Sequence, residues 1–265
     1  MELTPVFDGH NDLLARIFDD PQVDFFTGEK AKHISLGAME QGGLFGGLFA
    51  IFIPPTKEEE SAGEGEGSSK LPAPVPLERA REVVHRQFSI LLRLVESSRG
   101  RLRLARNVAE IEAARAEGVV AAVAHMEGAE GISESLEELD LYHAAGLRSL
   151  GPVWSRHNRF GHGVPIYREG RPDTAPGLTE AGRRLVKRCN ELRILVDLSH
   201  MSEAGFCEVA KLSEAPLLAS HSNVWELCNS TRNLTDDQLK AIGETGGLVG
   251  LNFGTLFLRD RKSVV

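Results

Sequence analysis

Acidic residues and histidines stand at several places where apolar runs of the sequence end. The first is Asp8-Gly9-His10-Asn11-Asp12, in which His10 and Asp12 are two residues apart. On a strand, side chains at this spacing point to the same face, and Asp8 points there too. An imidazole and a carboxylate from one strand end suit a zinc ion. By itself, however, an H-x-D tripeptide is common and is better explained by polar residues that end a strand.

Three further apolar runs end in the same way. Glu127 closes one of them, and the other two end in Leu198-Ser199-His200 and Ser220-His221-Ser222. With the first motif, these runs supply three imidazoles and two carboxylates. Packing is a poor explanation for so many ionisable groups at strand ends. Two metal ions that share a bridging carboxylate need such a set of ligands.

The elements that would position these side chains alternate along the chain. Short apolar runs predict strands at residues 5–13, 44–53, 119–127, 149–154, 194–200, 217–221 and 247–253. Helical spacing and capping residues predict helices at 77–97, 108–117, 179–192, 202–212 and 235–245. This alternation predicts an α/β fold with a parallel sheet. Because barrel active sites lie at the C-terminal ends of strands, the polar strand ends favour a TIM-like (β/α)8 barrel. The other parallel architecture, a doubly wound sheet, lacks support because no G-x-G-x-x-G follows a strand.

Length and charge restrict the classes of function. The chain has 265 residues, with 30 Lys+Arg and 38 Asp+Glu, and so a net charge of −8. We expect one barrel domain over residues 1–265, because such barrels take roughly 250 residues. An acidic chain is a poor general partner for nucleic acid or an anionic membrane, and no apolar run approaches the roughly 20 residues of a membrane span. With three scattered cysteines and no signal peptide, we expect a cytoplasmic protein.

Residues 57–76 differ from the rest of the chain in composition. The segment KEEESAGEGEGSSKLPAPVP is rich in Glu, Gly, Ser and Pro, and it has little apolar surface to bury. It predicts a mobile surface loop after the second strand. Because the C-terminal end of that strand faces the active side of a barrel, a lid is a second interpretation, less favoured than a solvated insertion.

Taken together, the motifs resemble those of the membrane (renal-type) dipeptidase family of zinc peptidases. The stretches that carry the resemblance are Asp8-Gly9-His10-Asn11-Asp12-Leu13, Glu127-Gly128, Leu198-Ser199-His200, Ser220-His221-Ser222 and Arg232-Asn233. They occur in the order of the family, and their combination is specific although each is weak alone. The resemblance implies a (β/α)8-type barrel, hydrolysis of dipeptides including those with a C-terminal D-residue, and a possible homodimer.

The resemblance also assigns roles to the candidate ligands. It implies that His10 and Asp12 bind one zinc ion, that His200 and His221 bind a second, and that Glu127 bridges the two. The chemistry of such a pair agrees with the implied reaction. Two zinc ions lower the pKa of a bridging water, so that hydroxide is available near neutral pH, and they polarise the scissile carbonyl.

Substrate contacts are less well defined by the sequence. Arg232 suits the free carboxylate of a dipeptide, because a guanidinium binds a carboxylate bidentately, and Asn233 follows it in the same motif. Trp154 stands where mammalian members of the family have a substrate-contacting histidine, and His157 is a second candidate three residues later. For His157, an exposed loop position is the other interpretation. Asp8, Asp197 and Asn252 are either partners of the histidines or caps of neighbouring loops.

The resemblance further implies an eighth strand beyond the seventh, ending in an aspartate that acts in proton transfer. The sequence has no such motif before Val265. We therefore expect the chain to continue beyond residue 265, since a barrel without its last strand and C-terminal helices would have an open edge. The general acid/base aspartate is not found in residues 1–265.

Two alternative functions remain at this stage. The first is another metal-dependent hydrolase of the amidohydrolase barrel type. Most proteins of that type, however, have H-x-H as the first motif and a bridging lysine where this chain has Glu127. The second is a non-catalytic relative that binds metal. Metal content measured together with dipeptide turnover would separate the three hypotheses.

Overall fold

The computed structural model describes residues 4–55, 71–166, 169–172 and 175–258. Eight strands lie in these ranges: β1 Val6–Asn11, β2 Leu44–Phe52, β3 Leu102–Leu104, β4 Val120–Glu127, β5 Leu147–Gly151, β6 Leu195–Val196, β7 Leu218–Ala219 and β8 Leu248–Val249. Eight α-helices lie there too: α1 Leu13–Asp19, α2 Leu36–Gln41, α3 Leu77–Ser97, α4 Val108–Ala116, α5 Glu137–Ala145, α6 Glu180–Leu192, α7 Glu203–Leu212 and α8 Asp236–Glu244. Residues 57–70 of the predicted loop lie outside the described residues.

The strands form a parallel sheet that curls as a barrel wall does. Its order is β1-β2-β4-β5-β6, and β7 pairs with β8. A parallel bridge between Asp197 and Leu218 connects the end of β6 to β7. A Cβ atom added to Gly9 of β1 would lie 3.7 Å from the Cα of Gly250, just after β8, so the last strand comes back towards the first. The predicted α/β class and TIM-like barrel wall are confirmed.

One strand was not predicted from the sequence. β3 has only three residues, too few to show a period of two, and it pairs with Ala121 and its neighbours at the start of β4. β2 already pairs with Ala121 along the other edge of β4. β5 pairs with the second half of β4, from Ala124 to Glu127. β3 and β5 therefore share one edge of β4, and the predicted total of seven strands was one too few.

The five predicted helices are confirmed, each within one residue at either end. Four of them, all but α3, have well-defined starts because capping side chains satisfy free backbone N–H groups. Thr179 accepts a hydrogen bond from the backbone of Gly182, and Thr235 forms a capping box with Gln238. Three helices were missed: α1 and α2 have only seven and six residues and give little periodicity, and α5 has no capping side chain at its start. None of the described helices is long and apolar enough to cross a membrane.

The core lies between the sheet and its helices. All eight residues of β4 are buried, as expected for a central parallel strand, and two of them, His125 and Glu127, are polar. The later strands are shorter than predicted: β6, β7 and β8 have two residues each. The histidines that were predicted to end strands therefore lie in the loops that follow β6 and β7.

Gln87 of α3 extends the hydrogen bonding of the sheet where β2 ends. Its buried side chain accepts from the backbone N–H of Phe52 at 2.8 Å and donates to the carbonyl of the same residue at 2.6 Å, as a neighbouring strand would. The ring of Phe52 packs against Trp154 at 4.8 Å between centroids. The amide of Gln87 thus holds the end of β2 next to a predicted site residue.

We predict that Gln87→Met destabilises the protein although it keeps the size of the side chain. A buried backbone group that loses its partner costs about 1–3 kcal/mol. Urea unfolding would measure the change in the free energy of unfolding. Gln41→Met, at an exposed position at the end of α2, is the control and should change it by less than about 0.5 kcal/mol. Equal free energies for the two variants would contradict the role given to Gln87.

Candidate metal centre

Four of the predicted ligands converge at the C-terminal ends of strands. His10 lies on β1, and Glu127 is the last residue of β4. His200 follows β6, and His221 follows β7 by two residues. His200 has a left-handed backbone, with φ at 68°, which turns the chain sharply after β6. The parallel arrangement brings together four segments that are far apart in the sequence.

Glu127 lies at the middle of the cluster. Its Oε1 atom is 2.9 Å from Nε2 of His200 and 3.3 Å from Nε2 of His221. Its Oε2 atom is 3.7 Å from Nε2 of His10. Each carboxylate oxygen therefore faces a different set of imidazole nitrogens. A carboxylate that bridges two cations has its oxygens divided in this way.

Asp12 lies at the rim of the cluster. Its Oδ1 atom is 3.3 Å from Nε2 of His10, while its side chain is 58% exposed. Ligand atoms of His10, Glu127 and His221 all lie within 4.8 Å of one another, a spacing that can hold a metal ion. The contacts of His200 with Glu127 and of Asp12 with His10 add the remaining two residues. The structure thus brings the five predicted ligands together.

Serine hydroxyls occupy the outer nitrogens of two of the histidines. The Oγ of Ser155 is 2.8 Å from Nδ1 of His200, and the Oγ of Ser220 is 2.7 Å from Nδ1 of His221. Both Nε2 atoms are thereby left to face Glu127, and they lie 3.0 Å from each other. The donor set of imidazole nitrogens and carboxylate oxygens fits zinc.

Burial and charge set the protonation of the cluster. Burial lowers the pKa of His200 and of His221 well below the usual value, so both rings are neutral, as metal ligation requires. Burial raises the pKa of Glu127 to about 7. Burial also acts to lower the pKa of His10, but the carboxylates of Glu127 and Asp12 outweigh it and raise the pKa to about 9. Carboxylates that favour a proton at His10 also favour a metal cation there.

Two predicted substrate residues lie beside the cluster. Arg232 is buried, and its guanidinium Nη2 donates to the carbonyl of His221 at 3.2 Å. Burial lowers the pKa of Arg232 to about 10, and Glu127 opposes the shift. The ring of Trp154 is 6.0 Å from that of His200 and lines the cluster on that side.

The other two predicted substrate residues make contacts within the chain. The ring of His157 packs against that of His162, with 4.6 Å between centroids. The side-chain amide of Asn233 donates to the backbone carbonyls of Cys228 and Phe257, at 2.9 Å each. Substrate contact by His157 and Asn233 therefore stays a prediction.

The sequence did not point to the serines or to a buried ion pair next to the site. Ser155 and Ser220 are common residue types, and only Ser220 had a signal, since it precedes a candidate ligand. Arg156 and Glu130 are both buried, with 3.9 Å between Nη1 and Oε1. The guanidinium of Arg156 lies 5.2 Å from the centre of the Trp154 ring. This pair packs behind the tryptophan that lines the cluster.

The family profile described as membrane dipeptidase, peptidase family M19, matches residues 1–264 of the chain. The chain belongs to this family. The finding agrees with the resemblance of the sequence motifs, and it places the chain among metal-dependent hydrolases.

Two solved structures and one further protein sequence of high similarity support the membership. A metallo peptidase from Rhodobacter sphaeroides, liganded with a phosphinate mimic of the dipeptide L-Ala-D-Ala, is 47% identical, with a TM-score of 0.92 over 97% of this chain and 76% of that one. The dipeptidase AC, described as an M19 metallo peptidase, is 48% identical with the same TM-score, over 97% and 75% of the two chains. An uncharacterized protein in the PQQ-III 3' region of Acinetobacter calcoaceticus is 38% identical over 97% of this chain and 82% of its own length.

The approach of β1 to the end of β7 gives a prediction about the geometry of the centre. A Cβ atom on Gly9 would lie 2.2 Å from the carbonyl oxygen of Ser220, which is far inside van der Waals contact. We predict that Gly9→Ala separates the segments that carry His10 and His221, at a cost of about 1–3 kcal/mol for overpacking.

The matched control is Gly37→Ala. This helical position in α2 has no atom within 4 Å of an added Cβ, so alanine should stabilise it by about 0.5–1 kcal/mol. Chemical unfolding of both variants measures the difference. A Gly9→Ala protein as stable as the unmodified chain would show that β1 and β7 do not come as close as described.

Proposed function

We propose that this chain is a dinuclear zinc dipeptidase that hydrolyses dipeptides, including those with a D-residue at the C-terminal position. The observation that carries the proposal is the division of the Glu127 carboxylate. One of its oxygens faces His200 and His221, and the other faces His10. The L-Ala-D-Ala mimic bound to the similar Rhodobacter sphaeroides peptidase supports the class of substrate.

The ligands proposed for the two ions follow from these contacts. His10 and Asp12 would hold one zinc ion, His200 and His221 the other, and Glu127 both. Zinc in such a pair would lower the pKa of a water between the ions to near neutrality and polarise the scissile carbonyl. The burial of Glu127 and of the three imidazoles keeps their ligand atoms away from bulk water.

Arg232 would bind the free carboxylate of the dipeptide. The side chain is 4% exposed and stays fixed by its bond to the carbonyl of His221, and a guanidinium has further N–H donors to offer. This position next to a ligand would orient the substrate with its peptide group towards the metals. Trp154 would exclude water on the side of His200.

The other hypotheses have less support from these contacts. A glutamate rather than a lysine lies between the histidine sets, which disfavours the wider amidohydrolase type. A non-catalytic relative has no need of a buried arginine beside a complete set of ligands.

The proposed small-molecule partner is a dipeptide. A cytoplasmic location and a homodimer stay predictions. The decisive experiment is elemental analysis of the purified protein combined with turnover of L-Ala-D-Ala.

A prediction for the metals concerns Glu127→Gln. The unmodified protein should hold about two zinc ions per chain, and the amide should weaken both sites because it removes the charge that the two ions share. Elemental analysis after dialysis against a weak chelator measures the loss. Glu134→Gln, which removes a charge from an exposed ion pair with Arg184, is the control and should keep both ions. Full metal content in Glu127→Gln would reject the bridging role.

A prediction for the substrate concerns Arg232. Arg232→Ala should raise KM strongly for dipeptides, and truncating one partner of a buried charged pair costs on the order of 2–5 kcal/mol. Arg232→Lys keeps the charge but loses the bidentate geometry, so its KM should lie in between. A dipeptide amide should be a poor substrate for the unmodified enzyme. Steady-state kinetics with Arg79→Ala, an exposed position on α3, as the control would check this. Equal turnover of the dipeptide and its amide would remove Arg232 from substrate binding.

A further inference from the structure

We propose that Asp197 is a positioning residue that determines, through Ser220, which nitrogen of His221 carries the proton. The inference rests on the proposed metal centre, because the effect of Asp197 would be to keep the Nε2 lone pair of the proposed ligand His221 free for a metal ion. It concerns a carboxylate that touches neither the substrate nor the proposed metals. Asp197 follows β6 and has a side chain that is only 2% exposed.

Two hydrogen bonds connect His221 to Asp197 through the hydroxyl of Ser220, and the direction of donation in each is determined. The hydroxyl of Ser220 donates to Oδ2 of Asp197 at 2.5 Å, since a carboxylate can only accept. That hydroxyl has a single hydrogen, so its oxygen must accept from Nδ1 of His221, 2.7 Å away. The proton of the neutral imidazole is thereby placed on Nδ1. Nε2 then has a lone pair, and it faces Glu127 at 3.3 Å.

The same carboxylate fixes the two loops that carry the histidines. Its Oδ1 atom accepts from the backbone N–H of Ser199 at 3.1 Å and of Ser220 at 2.8 Å. The neighbours of these serines are His200 and His221. Nε2 of His125 is a further group near Oδ2, at 3.5 Å. With Oδ1 engaged by two backbone donors, Oδ2 is the atom that serves Ser220.

His200 provides a comparison within the same cluster. Its Nδ1 atom contacts the hydroxyl of Ser155, and among the hydrogen bonds of the described residues no carboxylate orients that hydroxyl. The relay from a carboxylate through a serine is therefore particular to His221. Partners of this kind commonly change metal affinity 10- to 100-fold when they are altered.

Asp197→Asn is the sharpest test because it keeps the shape and reverses one hydrogen bond. The amide oxygen can still accept from Ser199 and Ser220, which leaves the NH2 group to face the hydroxyl of Ser220 as a donor. The hydroxyl hydrogen, no longer held by a carboxylate, is then donated to Nδ1 of His221 at 2.7 Å, which is a nearer acceptor than Oγ of Ser199 at 3.4 Å. The proton of the imidazole moves to Nε2, where it blocks a metal.

The experiment compares the protein and three variants, Asp197→Asn, Ser220→Ala and Ser155→Ala, after labelling of histidine with ¹⁵N. Long-range ¹⁵N–¹H spectra of the metal-free proteins identify the tautomer of each ring, and His221→Gln assigns the signals. We expect His221 to carry its proton on Nδ1 in the unmodified chain and on Nε2 in Asp197→Asn. Ser220→Ala should give a mixture of the two forms, and Ser155→Ala should alter only the signals of His200.

Zinc affinity, measured by competition with a chelator, is the second readout. Asp197→Asn should bind the zinc ion proposed at His200 and His221 10- to 100-fold less tightly. An unchanged tautomer of His221 in this variant, or in Ser220→Ala if the first does not fold, would overturn the inference. An unchanged zinc affinity would overturn it as well. A failure of the unmodified protein to bind zinc would instead reject the proposed function, while the tautomer of the metal-free ring would still decide the relay.

Discussion

A carboxylate that is removed from water needs positive charge or hydrogen-bond donors around it, and this requirement organises the centre of the molecule. Glu127 is buried at the end of β4, with imidazole nitrogens from three other segments at 2.9, 3.3 and 3.7 Å. Two of these imidazoles, those of His200 and His221, are neutral and compensate the charge poorly. Cations between the carboxylate and the imidazoles would compensate the remaining negative charge. Metal-dependent hydrolases use this arrangement.

The cluster also explains the irregular half of the sheet. β2 and β4 pair over seven residues and are packed under helices, whereas β6, β7 and β8 have two residues each. Where those strands end, Asp197 accepts the backbone N–H groups of Ser199 and Ser220 that a longer strand would use in its ladder. Regular structure is replaced by side-chain hydrogen bonds at the point where the histidines turn inward. The extended core around β2 and β4 stabilises the fold that holds these histidines in place.

The electrostatics of the cluster differ between its two sides. His10, with Glu127 and Asp12 as neighbours, has its pKa raised to about 9, whereas His200 and His221 have theirs lowered by burial and by the charge of Arg232. One side therefore favours added positive charge. The other side combines neutral ligands with a guanidinium that can receive an anion. A peptide that ends in a free carboxylate matches this combination, which connects the geometry to the class of substrate proposed.

The sequence by itself determined the α/β class, five of the eight described helices and the identity of the candidate ligands. These depend on local information: apolar periodicity, capping residues such as Thr179 and Thr235, and ionisable side chains where apolar runs stop. It did not determine β3, whose three residues have no readable period, or the ends of β6 and β7. Only the tertiary structure decided which oxygen of Glu127 faces which histidine, and that Asp197 reaches His221 through Ser220. Such contacts join residues that are distant along the chain, and their geometry follows from how parallel strands and the loops after them pack, which no local pattern encodes.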